Sequence, residues 1–315
     1  MSDKFIFEIE GKPIRKGFFK KIRSIVTFFD SRFRLEKEGE VSIFSVDEVR
    51  DVFVKEQSLG DCPDRVVVIE LLHEGERVVL ELPDGVFPGL SSKMEQMLEV
   101  HWPQIRKKRD GPQTVKWFMA CCAVVFISSG QNPHIFGGLS KCPEAAEEAR
   151  RVLRDECGLE SGDDLLRLLP KLLGGLSIAE WAEKTRTDPD LDDYEESLVE
   201  EIKLAGCERC LWAFDLQRLI YLSAVGHVAD FLSYEKALDW CLEAGAKLQI
   251  KHKNWDEFMK AYLMGFCYWA EEDPDDDRSE SARRLKIYEF CKKLPGNPWL
   301  TPWDVPLKRE WGTAD

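Results

Sequence analysis

The sequence predicts an α+β chain: a small mixed α/β N-terminal domain followed by a larger all-α domain. Three observations carry this. Strand-like apolar runs occur only in the first hundred residues. From residue 115 onward the apolar residues recur at helical spacing. Between the two, Arg106-Lys107-Lys108-Arg109-Asp110-Gly111-Pro112 is basic, polar and turn-rich, as exposed linkers are. The expected boundaries are 1–105 for the first domain, 106–114 for the linker, 115–307 for the helical domain and 308–315 for a tail. A chain of 315 residues has room for two such domains.

In chain order, Phe5-Ile6-Phe7-Glu8-Ile9 reads as a short strand ended by Gly11 and Pro13. Residues 15–29 read as a helix with Phe18, Ile22, Ile25, Val26 and Phe29 on one face. Arg65–Leu71 and Arg77–Leu82 read as two strands joined by a hairpin turn at His73-Glu74-Gly75-Glu76. A helix near 90–102 follows, carrying Leu90, Met94, Met97, Leu98 and Trp102. A hairpin followed by a terminal helix is the closing order of a pleckstrin-homology-like barrel.

Trp117 to Ser128 is the most apolar stretch. It is too short for the roughly 20 residues a spanning helix needs, so it reads as a buried core helix. Pro143 opens the next helix, with Glu144, Glu147 and Glu148 near its positive end, and Cys157-Gly158 stops it. Further helices are expected at 162–172, 177–186, 195–225, 233–250, 254–270 and 278–293. The strongest signal is Trp255, Phe258, Met259, Tyr262, Leu263 and Phe266, behind a capping box of Asn254 and Glu257.

Charge narrows the function classes. The net charge is −14, and nearly all of it lies beyond residue 110. Such a surface repels phosphate backbones, so nucleic acid is not an expected partner; a basic protein is. Residues 14–37 hold eight Lys and Arg against Asp30 and Glu36. A membrane-surface helix has this pattern, and so does a surface helix packing its Phe face on a sheet; the second is the expectation. The ten cysteines fall mostly inside apolar helical patterns, with no signal peptide ahead of them. They read as free thiols in a reducing cytoplasm.

Familiar catalytic motifs are missing. The chain has no G-x-G-x-x-G, P-loop, G-x-S-x-G or H-E-x-x-H. Its five histidines lack metal-ligand spacing, and Cys207-Glu208-Arg209-Cys210 has no second C-x-x-C. Two acidic runs start like calcium loops, at Asp188 and Asp273, but lack the glycine and the closing Glu. No metal and no cofactor is expected.

One constellation remains. On a helical wheel Leu211, Trp212, Asp215, Leu219 and Leu222 share a face, with Arg218 three residues after Asp215. Phe214, Tyr221 and Val225 cover the adjacent face. A helix so widely apolar is central to its domain, so Asp215 is expected to be buried and matched by Arg218 or another cation. The pair either ties helices together or lines a polar pocket with aromatic walls. No nucleophile or base stands beside it in the sequence, so an enzyme reading lacks its second member.

The same residues carry a family resemblance. Trp212-Ala213-Phe214-Asp215-Leu216-Gln217-Arg218, then Gly226, Trp255-Asp256-Glu257-Phe258, Tyr262-Leu263-Met264-Gly265 and Trp269 resemble the family called domain of unknown function 1266. The resemblance spans roughly residues 115–307. It departs from the family pattern at Trp212, three places before Asp215 rather than adjacent, and at Asn254, where Ser is usual. It implies a bacterial, mostly helical domain and brings no established activity. The expected function is a non-enzymatic, cytoplasmic protein-binding module, of which an immunity-type role is one form. The alternative is an enzyme or small-ligand receptor with a pocket around Trp212, Asp215, Arg218, Trp255 and Tyr262.

Overall fold

The computed structural model describes residues 5–10, 14–16, 20–22, 24–29, 31–37, 40–59, 62–73, 76–83, 86–102, 112–187, 207–273, 276–294 and 296–312. The chain divides into two compact units, Met1–Gly111 and Pro112–Asp315. The expected linker core at 106–111 and the acidic run that begins at Asp188 lie outside the described residues.

The first unit is built of antiparallel sheets. Strands β1 (Phe5–Glu10), β4 (Ser24–Phe29), β5 (Arg32–Lys37) and β6 (Glu40–Ser45) form one sheet in that order. β2 (Ile14–Lys16) and β3 (Lys20–Ile22) pair as a small ribbon. β7 (Val49–Leu59), β8 (Cys62–His73) and β9 (Glu76–Pro83) make a three-stranded meander, and helix α1 (Leu90–Val100) follows. The anticipated hairpin is present, with His73 opposite Glu76. Val26, Phe28, Phe33 and Phe44 from one sheet and Val67, Ile69 and Leu71 from the other are buried with Leu90, Met94 and Trp102. The Trp102 indole N–H closes this core by donating to the Phe29 carbonyl at 3.1 Å.

The helix expected over 15–29 is three strands instead. Ile25-Val26-Thr27-Phe28-Phe29 is β-branched and aromatic throughout, a composition that fits a pleated, half-buried surface. Val26 and Phe28 point into the core, and the Thr27 hydroxyl donates to Glu8 on the neighbouring strand at 2.8 Å. Of the apolar residues that suggested a helix face, Ile25 and Phe29 fall out of step with Val26, and the buried alternation runs through Val26 and Phe28 instead.

The second unit is helical: α2 (Gln113–Ser128), α3 (Pro143–Cys157), α4 (Gly162–Leu173), α5 (Leu176–Thr187), α6 (Cys207–Val228), α7 (Tyr234–Lys251), α8 (Trp255–Ala270) and α9 (Glu280–Cys291). Helix α2 is buried around most of its circumference, as its composition requires. Capping follows the sequence. Pro143 stands at the first turn of α3, and Gly158 ends it with φ of 65°, where its N–H returns to Arg154. Asn254 accepts from the Glu257 N–H at 2.8 Å; the Glu257 carboxylate reaches the Lys253 N–H rather than that of Asn254. Of the helix expected at 195–225, residues 195–206 lie outside the described residues, and the rest continues to Val228. Among the described residues no helix is long and apolar enough to cross a membrane.

Candidate functional site

Helix α6 organises the helical unit, and its two sides do different things. Asp215 is fully buried. Its carboxylate accepts the Ser177 backbone N–H at 2.8 Å and the Ser177 hydroxyl at 2.6 Å. Ser177 lies in the first turn of α5, where backbone N–H groups lack partners within the helix. Asp215 therefore caps α5 from another helix, and the positive end of the α5 dipole faces its charge. Burial nonetheless pushes the carboxyl up to about 6; the Ser177 bonds and the Arg218 charge pull the other way, and Glu180 adds to the rise.

The expected Asp215–Arg218 pair does not form. Among the described residues Arg218 makes no ion pair. Its guanidinium lies 5.2 Å from the Trp269 ring centre and 5.9 Å from that of Phe214. The reason is rotational: residues three apart on a helix differ by about 60°, and here that step separates two faces of a crowded bundle. Asp215 turns to α5, while Arg218 turns to α8.

Arg218 faces an open cavity of about 120 Å³ between α6, α8, the ends of α2 and α3, and α9. Phe214, Gln217, Arg218 and Tyr221 reach it from α6, at i, i+3, i+4 and i+7. Tyr262, Phe266 and Trp269 line it from α8, one helical turn after another. Arg284 comes from α9, and Glu156 and Cys157 from the last turn of α3.

The two arginines differ in kind. Arg284 is committed: it donates to Glu280 at 2.9 Å and to the Tyr262 hydroxyl, and lies 4.0 Å over the Phe266 ring. Arg218 keeps its fork of donors turned to rings and to the Cys157 thiol. That thiol is pushed up by burial, with Arg218 drawing it partly back. Burial also raises the Tyr221 hydroxyl, and raises that of Tyr262 to about 12 against the pull of Arg284, so both phenols stay protonated. Gln217 is buried, and its amide nitrogen has no hydrogen-bond partner. The Cys122 thiol lies against Gln217 and donates toward its backbone carbonyl at 4.0 Å.

Of the five residues the sequence singled out, Arg218 and Tyr262 line this cavity and the other three lie elsewhere. Trp212 packs against Gly175, with the Lys251 and Lys247 ammonium groups 4.5 and 5.3 Å from its ring centre. Trp255 belongs to an aromatic cluster with Trp117 and Trp303, its indole N–H donating to the Thr301 carbonyl at 2.8 Å. The sequence reading missed Gln217, Trp269 and Arg284 as cavity residues. One signal was present: a cation inside the stripe of Phe214, Gln217 and Tyr221.

Two histidines are partly or fully enclosed. His252 is buried with both ring nitrogens unpartnered, against Phe258 and Trp303, and burial lowers it to about 4. His227, half-buried, is also lowered by burial. Among the described residues no three His, Cys, Asp or Glu side chains stand close enough to hold a metal ion.

A family model described as protein of unknown function (DUF1266) matches residues 144–303, half of the chain. That match includes α6, α8 and α9, and with them Arg218, Tyr262, Trp269 and Arg284. Neither the curated proteins nor the solved structures contain a match to the chain.

Proposed function

The chain belongs to the DUF1266 family, and we propose that its helical unit is a receptor for a small molecule held in the cavity beside Arg218. One observation carries this reading. Arg218 presents a guanidinium with no carboxylate partner among the described residues to a concave site walled by Phe214, Tyr262, Phe266 and Trp269. Ligand pockets commonly combine apolar walls with a few convergent polar groups. A half-buried arginine that meets only rings and a single thiol keeps further donors for something else.

Binding is favoured over turnover. The lining offers donors, rings and one exposed carboxylate, Glu156, and its thiol, Cys157, is held protonated by burial. The protein-partner alternative rests on the acidic charge balance, the missing catalytic motifs and the two-domain layout, whereas the cavity reading rests on side chains that line one cavity.

The test is a thermal-shift screen of small molecules against the full chain and Arg218→Gln. Ligands that raise the midpoint of the first and not the second support the reading. Ligands that raise both equally, or no ligand at all, overturn it.

A further inference from the structure

We infer that the cavity takes a planar monoanion: a carboxylate carried on a single aromatic or heteroaromatic ring. This rests on the receptor reading above and names the chemistry of its ligand.

The cation comes first. Arg218 offers a fork that matches a carboxylate in two parallel hydrogen bonds. Its guanidinium is already oriented by Trp269 and Phe214, which leaves less rotamer freedom to lose on binding. Arg284 cannot take this role, because Glu280 neutralises it and Tyr262 accepts from it. The site thus has one available positive charge.

Shape comes second. A cavity of about 120 Å³ has the size of one ring, since an apolar cavity of roughly 150 Å³ is known to hold benzene. The rings of Phe214, Tyr262 and Phe266 form a continuous wall, with successive centroids about 6.5 Å apart between Phe214 and Tyr262 and 6.4 Å between Tyr262 and Phe266. Such a wall favours a flat body in offset or edge contact.

Charge number comes third. Glu156 stands exposed on the rim. A single arginine cannot neutralise both charges of a phosphate dianion, and the unmatched charge is costly to bring against apolar rings beside a carboxylate. Phosphate and phosphate esters are therefore disfavoured relative to carboxylates. The amide of Gln217, buried and short of a partner at its nitrogen, adds a polar group on the same wall.

Trp269 provides the readout, since it lines the cavity and is 47% exposed. The full chain is titrated with benzoate, benzamide and inorganic phosphate at constant ionic strength, following tryptophan fluorescence. Benzoate is expected to bind about 10-fold or more tightly than benzamide, the neutral isostere, and phosphate is expected not to displace it. Arg218→Gln should erase the preference for benzoate over benzamide. Equal binding of benzoate and benzamide to the native chain overturns the anion and leaves the receptor standing. Phosphate binding more tightly than benzoate overturns the planar monoanion. Failure of all three probes at about 10 mM overturns both this inference and the receptor reading beneath it.

Discussion

Asp215 accepts two hydrogen bonds from Ser177, at 2.8 and 2.6 Å, and so joins α6 to the first turn of α5. Arg218, three residues along the same helix, takes no part in this link. One acidic and one basic residue that read as a pair in the sequence therefore have separate duties. Asp215 holds helices together, and Arg218 faces a cavity.

Breaking the link from the Ser177 side should be costly. Ser177→Ala removes a hydroxyl that donates to a buried carboxylate. A hydrogen bond to a charged group contributes about 1.5–3 kcal/mol, and urea unfolding followed by tryptophan fluorescence should register that loss. Nine of the ten tryptophans lie beyond residue 111, so the signal reports the helical unit. A loss under about 0.5 kcal/mol would mean that water replaces the hydroxyl freely.

The pH dependence has a defined sign. Asp215 is raised from 3.8 to about 6 in the folded chain, so its contribution to stability is fully present below pH 3.8 and is lost as pH rises through about 6. His252, lowered from 6.5 to about 4, does the opposite: its contribution is present above 6.5 and lost as pH falls through about 4. The two effects oppose one another across the same window, each on the order of 3 kcal/mol. A single profile of the native chain hides both. The stability difference between native chain and Asp215→Asn isolates the first, and it should move in favour of Asn between pH 4 and pH 6. A difference that stays flat across that range would place the Asp215 titration elsewhere.

Two glycines should separate by cost. A Cβ on Gly265 would meet the Cys210 carbonyl oxygen at 2.5 Å and the Phe214 Cβ at 2.7 Å, so α8 must back away from α6. On Gly245 it would meet the movable Leu307 Cδ1 at 2.8 Å, with Phe118 and Trp117 at 3.1 Å. Gly265→Ala should cost about 2–3 kcal/mol and Gly245→Ala about 1 kcal/mol or less; Gly245→Leu should cost roughly 1–3 kcal/mol by overpacking. The reverse ranking in thermal unfolding would mean that the α6–α8 crossing is looser than described.

The basic segment Arg106–Arg109 gives a fourth expectation. Brief trypsin digestion should cut there first and leave a fragment from near residue 112 with native tryptophan fluorescence. Earlier cleavage inside α2–α4 would count against a self-sufficient helical unit.

The helical unit was legible because its signals are local. The stripe from Trp255 to Phe266 and the caps at Asn254 and Gly158 each need only a few neighbouring residues to be read. The first unit was less legible. Strands β5, β6 and β7 were not anticipated; Arg32–Lys37 carries four polar residues to two apolar and Glu40–Ser45 three to three, and both are stabilised by pairing across the sheet. The cavity was half legible. Arg218 and Tyr262 stood out as a cation and a phenol in apolar stripes, but Arg284 and Cys157 converge on them from two other elements at distances only the fold sets. The Ser177–Asp215 link, 38 residues apart, leaves no trace in local pattern.

The division of duties between Asp215 and Arg218 is tested most directly by one set of unfolding midpoints, measured with and without saturating benzoate. The variants are native chain, Asp215→Asn and Arg218→Met. Arg218→Met should lose no more than about 1 kcal/mol without benzoate, since ring contacts of a partly exposed cation are worth about that much. Asp215→Asn should change the midpoint without benzoate. Added benzoate should raise the native and Asp215→Asn midpoints alike, by mass action on the folded state, and raise that of Arg218→Met clearly less. An Arg218→Met chain that unfolds as readily as one with a broken buried ion pair, about 3–5 kcal/mol down, or that gains as much from benzoate as the native chain, would contradict the account.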